Sequence, residues 1–251
     1  MYHGLFNQLT RSEHVGRILS IVPTPCSSFQ TTGERVTSFD RVEGRDNQGK
    51  PMITIYGVSA SRAIRSLWAI EETGVAYEHV PTHYFNDSKT KEYQAVNPNG
   101  RIPALVDGET ALFESMAINL YLTKHYAPAL YPTEALNEAK AIQWSVWAIS
   151  EIEPLQMQIV VQKFFTGGNP DQAVIDAATE SLVRPLAVLE QHLMDAEYLV
   201  GSEFCVADLN LAGVMLLMKS IGFDFGQFPK VDGWLNRCWS REALARAQSL
   251  D

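Results

Sequence analysis

Extended and helical patterns alternate between residues 52 and 126, and beyond residue 132 only the helical pattern continues. That change of texture confines the chain to an α/β unit followed by an all-helical one. In "MITIY" (52–56), Ile53 and Ile55 share one face of an extended segment, and Gly57 follows. From Ser61 to Thr73, Ile64, Leu67, Trp68 and Glu71 fall at i, i+3, i+4 and i+7, a one-sided stripe that Gly74 ends. "VAYEHVP" (75–81) alternates again. Strand, helix and strand with short links predict a βαβ unit, its strands parallel and its crossover right-handed. A polar helix-capable run, "SKTKEYQAV" (88–96), leads into the turn-rich "NPNGRIP" (97–103). Two short extended segments, 104–107 and 109–113, then meet across Asp107-Gly108, a dipeptide favoured in hairpins. A helix from Ser115 to Tyr126 closes the unit.

Pro128 and Pro132 mark a linker. Beyond it, "EALNEAKAIQWSVWAISEIEPLQMQIVVQKFF" predicts a long helix bent at Pro154, whose missing N–H and ring interrupt the hydrogen-bond ladder. The run from Asn169 to Leu199 is also helical, with Pro185 inside it, and "VADLNLAGVMLLMKSI" is apolar nearly all round, as a helix at the centre of a bundle would be. The expected organisation is an α/β domain over 51–130 and an all-helical domain over 134–251. Residues 1–50 hold no periodicity for more than a few positions and read as a disordered or loosely attached extension, with Met52 an alternative start of the folded part.

A net charge of −9 with no long basic run is the wrong field for tracking a phosphate backbone, which removes nucleic acid as a partner. The longest apolar stretch, 209–218, is about half a bilayer span, so no membrane partner is expected. Cys26, Cys205 and Cys238 are far apart and form no metal-type spacing with the histidines, which points to a reducing, cytoplasmic setting without a metal.

Two places carry chemistry. Tyr56, Ser59 and Ser61 crowd three hydroxyls into six residues between the first strand and the first helix. Ser61 has the position of an N-cap, accepting a backbone N–H with its oxygen and leaving its own proton free for a ligand. Glu114-Ser115 opens another helix, where N–H groups and the positive end of the dipole attract an anion. Taken alone, Ser115 could be an ordinary cap, Glu114 a solvated charge and Arg101 loop decoration.

The sequence "NPNGRIPALVDGETALFESMAINLYL" (97–122), with the β-α-β-α-β-β-α order before it and the helical run after it, resembles the glutathione transferase family over residues 52 to about 248. The resemblance does not single out a class within the family, though serine-type members come to the fore. It implies a thioredoxin-like domain ahead of a helical one, with glutathione as co-substrate and no resident cofactor or metal. The bland readings of the second place yield accordingly: Ile102 would pair its backbone with the cysteinyl part of glutathione, Pro103 would follow a cis bond, and Glu114 and Ser115 would hold the γ-glutamyl end. A trans Pro103 would otherwise be the default. Arg101 becomes a candidate for a ligand carboxylate. Ser61 leads as the hydroxyl that holds the thiolate, followed by Ser59 and Tyr56. No cysteine stands in that segment, which argues against mixed-disulfide chemistry. The implied activity is conjugation of glutathione to apolar electrophiles by a homodimer. A glutathione-dependent isomerase or dehalogenase and a non-catalytic binding module are the alternatives. Trp144, Trp147 and Met157 are candidates for the electrophile cleft. "FCVADLNLA" (204–212) is similar to the family's helix-start motif with Cys205 at the cap, where sulfur, a weak acceptor, would forfeit half the capping box.

Overall fold

The computed structural model describes residues 53–251, so the extension expected at 1–50 and the alternative start at Met52 lie outside the described residues. A four-stranded sheet has the order β2-β1-β3-β4, built from β1 (Ile53–Tyr56), β2 (Tyr77–Val80), β3 (Ala104–Asp107) and β4 (Thr110–Phe113). β1 runs parallel to β2, with Ile53 opposite Tyr77, and antiparallel to β3, with Tyr56 opposite Ala104. The β3–β4 hairpin pairs Asp107 with Thr110 across Gly108-Glu109, and Gly108 takes the positive φ of 58° that the tight turn requires.

Helices α1 (Ile64–Thr73), α2 (Lys91–Val96) and α3 (Ser115–Tyr126) complete this half. The stripe read in α1 is buried as expected: Leu67, Trp68 and Ile70 are fully enclosed with Ile55, Leu105, Ile118 and Leu122. Each such side chain stabilises the fold by roughly 1.5–3 kcal/mol against exposure. The Trp68 indole avoids an unmet donor by reaching Glu72 Oε1 at 2.9 Å.

The all-helical half contains α4 (Ala135–Trp147), α5 (Glu153–Phe164), α6 (Gln172–His192), α7 (Val206–Ser220), α8 (Pro229–Trp239) and α9 (Glu242–Gln248). The bend expected at Pro154 is a π-turn, Ala148–Ile152, between α4 and α5. Proline cannot donate to the carbonyl four residues back, and the Glu153 N–H instead reaches Ala148 O, five residues back. Pro185, by contrast, is carried within a continuous α6.

Helix α7 is buried on almost every side, packing on α1, α3, α4, α5 and α8. Its start is tied by Asp208, fully buried, which accepts from Leu199 N (2.9 Å), Cys205 N (3.0 Å) and Trp234 Nε1 (2.8 Å). The capping box has both halves in place despite the cysteine, contrary to the expected loss of one. Burial pushes the Cys205 thiol up to about 12, and the neighbouring Asp208 adds to the rise. Polar side chains also bridge α3, α4 and α7: Asn119 Nδ2 donates to Asn210 Oδ1, and Asn210 Nδ2 to Ser145 Oγ, each at 2.8 Å.

Candidate active site

The segment after β1 is shaped by Gly57, whose φ of 139° suits glycine alone, and a Cβ there would come within 2.3 Å of Ala63 Cβ. Its carbonyl meets His79 Nε2 at 2.7 Å. The loop then turns tightly, with Ile64 N donating to Ser61 O and Arg65 N to Arg62 O before regular helix begins. Helix α1 therefore starts three residues later than the sequence suggests. The Ser61 oxygen does accept a backbone N–H, that of Ala63 at 3.0 Å, but its own proton is not free: it is donated to Val58 O at 2.7 Å.

The three hydroxyl candidates part company here. Ser61 lines a cavity of about 280 Å³, whose other walls are Ala60, Arg62, Tyr84, Arg101, Ile102, Met157, Phe165 and Leu217. Tyr56 does not reach this cavity; its ring meets Tyr93 edge-on at 5.8 Å, within a small cluster that includes Ala63, Ile102 and Ala104. Ser59 is turned to the chain end, its N–H held by the Asp251 carboxylate at 2.9 and 3.2 Å. Of the three candidates, Ser61 alone lines the cavity, and the phenol of Tyr84 is a second hydroxyl-bearing side chain on its wall.

Arg101 and Ile102 share that wall. The Arg101 carbonyl is pinned by Tyr93 Oη (2.7 Å) and Asn97 Nδ2 (2.6 Å), which sets the path of the loop. The Ile102-Pro103 bond is cis. Among the described residues the backbone N–H and C=O of Ile102 make no hydrogen bond, so both remain for a partner in extended conformation. Glu114 and Ser115 do not line the cavity; they stand at the start of α3. Glu114 is the single non-glycine residue at positive φ among those described, at 72°. Such a conformation costs about 1–3 kcal/mol and is found where a local geometry is required. Its carboxylate has no hydrogen bond or ion pair among the described residues. Ser115 is buried at the first helical position, where N–H groups lack intrahelical acceptors.

Sequence reasoning missed Arg62, Tyr84, Phe165 and Leu217 on the cavity wall. Tyr84 and Phe85 touch at 4.4 Å, and Phe85 meets Phe165 edge-on at 6.5 Å, so aromatic rings from the segment after β2 and from the end of α5 close one side. The run "HYF" (83–85) was the available signal. Of the cleft candidates Met157 lines the cavity; Trp144 is buried against Trp147 and His192 in the helical core.

Below the loop, Glu153 takes Arg62 Nη1 on Oε1 at 2.8 Å and Arg65 Nη1 on Oε2 at 2.9 Å. Side-chain exposure is 45% for Arg62, 3% for Arg65 and 11% for Glu153. Burial alone would raise the Glu153 carboxyl, but Arg65 and Arg62, by charge and hydrogen bond, together hold it below the usual glutamate range. No group of His, Cys, Asp or Glu among the described residues is arranged to hold a metal, and no described helix is long and apolar enough to cross a membrane.

A small mixed sheet with helices, an all-helical bundle after it, and a cavity lined by the loop before α1, the loop of the cis proline and residues of α5 and α7 make up the fold and its candidate site. The sequence matches the model of the glutathione S-transferase N-terminal domain over residues 51–124 and that of the C-terminal domain over 152–242. It is 38% identical over 170 residues to glutathione S-transferase 3 of Zea mays, covering 64% of this chain and 75% of that one. To glutathione S-transferase 1 of the same plant it is 31% identical over 210 residues, covering 80% and 97%. Among solved structures, glutathione S-transferase-I bound with lactoylglutathione superposes with a TM-score of 0.73 at 29% identity, covering 80% of this chain and all of that one. The theta class enzyme of Xanthomonas axonopodis pv. citri with glutathione bound gives 0.74 at 32%, covering 79% and 98%. The chain belongs to the glutathione S-transferase family.

Proposed function

We propose that this protein is a glutathione transferase that adds the glutathione thiol to apolar electrophiles. The observation that carries this reading is one cavity bringing together the Ser61 hydroxyl, the Arg101-Ile102 loop and the apolar side chains Tyr84, Met157, Phe165 and Leu217. Glutathione lies along Ile102 as an added extended strand, with its γ-glutamyl carboxylate at the Ser115 N–H and hydroxyl and its ammonium facing Glu114. Arg101 takes a ligand carboxylate. The sulfur then arrives at Ser61.

A free thiol with a pKa of ~8.5 is mostly protonated at neutral pH, and lowering it by two units requires ~2.7 kcal/mol. One hydroxyl donating to the thiolate supplies ~1.5–3 kcal/mol. For this the Ser61 proton turns from Val58 O to sulfur, exchanging a neutral hydrogen bond for a charge-assisted one. The thiol proton leaves to solvent, the thiolate attacks the electrophilic carbon to form the C–S bond, and the displaced group departs with its electron pair. Holding both reactants in one cleft lowers the entropic part of the barrier.

The domains divide in the segment of Pro128 and Pro132, giving a glutathione domain over 51–130 and a helical domain over 134–251. The working form is a cytoplasmic homodimer; Ile142, Val146 and Ile149 support this, being exposed apolar residues at i, i+4 and i+7 along α4 and the π-turn. The test of function is retention on immobilised glutathione followed by ultraviolet titration of the bound thiol. A bound pKa at or above that of free glutathione would reject the transferase reading, and a panel of electrophiles and metabolites separates conjugation from isomerisation or dehalogenation.

A further inference from the structure

The cavity wall carries two cations, Arg62 and Arg101, and no acidic side chain. Arg101 is engaged by the tripeptide in the reading above, whereas Arg62 has no such task. Its ion pair with Glu153 uses Nη1 only, and among the described residues its remaining N–H donors meet no acceptor. Glu153 cannot neutralise it, because the same carboxylate also serves the buried Arg65, and two guanidiniums against one carboxylate leave one positive charge over. Of the two arginines, Arg65 is the one buried with Glu153, at 3% side-chain exposure, whereas Arg62 is 45% exposed and its half of the pairing is weakened by solvent. Arg62 follows Ser61 directly, so its charge lies on the wall where the second substrate meets the sulfur, facing the apolar Met157, Phe165 and Leu217 and the ring of Tyr84.

We propose that Arg62 is a specificity-determining residue that selects electrophiles carrying a carboxylate on an apolar or aromatic body. The proposal rests on the transferase reading for the word electrophile, but the recognition itself is a property of the cleft. The apolar walls take the body by burial, and the planar guanidinium fork matches a carboxylate in two-point contact, which an ammonium could do less well. A neutral electrophile of the same shape gains the burial alone.

The test compares unreactive probes, 3-nitrobenzoate and 3-nitrobenzamide, titrated calorimetrically into the full chain with and without saturating S-methylglutathione. The benzoate is expected to bind about tenfold more tightly than the amide, a difference of ~1.4 kcal/mol, and the preference is expected to weaken with added salt. It should disappear in Arg62→Gln, persist in part in Arg62→Lys and survive in Arg101→Gln, with circular dichroism confirming the fold of each. Equal binding of the two probes to the unaltered protein would overturn the proposal, as would a preference lost with Arg101 rather than Arg62. Failure of S-methylglutathione to bind, with the benzoate preference intact, would reject the transferase reading and leave the anion selectivity standing.

Discussion

The Ser61 hydroxyl is docked on the Val58 carbonyl at 2.7 Å, so the group that faces the cavity is held by its own loop until a better acceptor arrives. A thiolate is such an acceptor. Replacing the hydroxyl should therefore show in the ionisation of the bound thiol first. Ser61→Ala is expected to raise the pKa of bound glutathione by about 1–2 units and to lower kcat/KM by about 10- to 100-fold at neutral pH. The measurement is a spectroscopic titration of the complex alongside initial rates; the same change in Tyr56→Phe, with none in Ser61→Ala, would transfer the role to the strand end.

Glu114 joins a proposed binding role to backbone strain. Glycine at this position accepts a φ of 72° without penalty, so Glu114→Gly is expected to leave the melting temperature unchanged or raise it slightly. The same change removes the carboxylate proposed to face the ligand ammonium, and glutathione affinity should fall by about 10-fold or more. Calorimetric binding and a thermal melt on one preparation decide it, and a clear loss of stability would contradict the strain.

The Glu153 carboxyl is held below its usual value of 4.5 in the folded protein, so the unfolded chain takes up this proton first as pH falls. The stabilisation from its arginine partners is thus complete above the unfolded value and lost as pH drops through the lowered folded value. Glu153→Gln should cost about 3 kcal/mol near neutral pH, because it leaves the buried Arg65 without its counter-charge. Denaturant titrations from neutral to acid pH should show the gap between the two proteins narrowing toward acid. A gap that widens toward acid would reverse the sign.

Asp208→Ala strands three donors at once, those of Leu199, Cys205 and Trp234. At ~1–3 kcal/mol for each unmet buried group, less what water entry recovers, a loss of about 3–4 kcal/mol is expected. At this size of protein that is a fall of roughly 6–16 °C in melting temperature. Cys205→Ser, which gives the Asp208 N–H a stronger acceptor, should shift the melting temperature the other way by about 1–4 °C.

Much of the fold was legible because its periods are short. Ile53 and Ile55 mark a strand by alternation, Leu67 and Trp68 mark a helical face, and Pro154 announces its break by chemistry that no neighbour can repair. The candidate site was legible in part: the cis bond at Ile102-Pro103 through the family resemblance, a trans bond being the default for proline, and the helix start at Ser115 through its own capping pattern. It was illegible where it depends on approach between distant segments. Phe165 and Leu217 reach the cavity of Ser61 only through the packing of α5 and α7, and the pairing of Arg62 with Glu153 spans 91 positions. The proton of Ser61 was misjudged for a local reason: the tight turn before α1 brings the Val58 carbonyl within its reach, and a cap position alone does not disclose that.

The π-turn at 148–152 also holds slack in the length of the helix. A regular helix advances by about 100° per residue, and the wide turn accommodates one residue in surplus without disturbing the phase on either side. Deleting a single residue there would return the segment to ordinary winding and leave Met157, Phe165 and Glu153 facing as they do. A residue deleted within α5 beyond Pro154 meets no such slack and would rotate everything after it by that angle, carrying Phe165 off the cleft. In this protein the cleft therefore tolerates a change of length at one turn of the helix and not at the next.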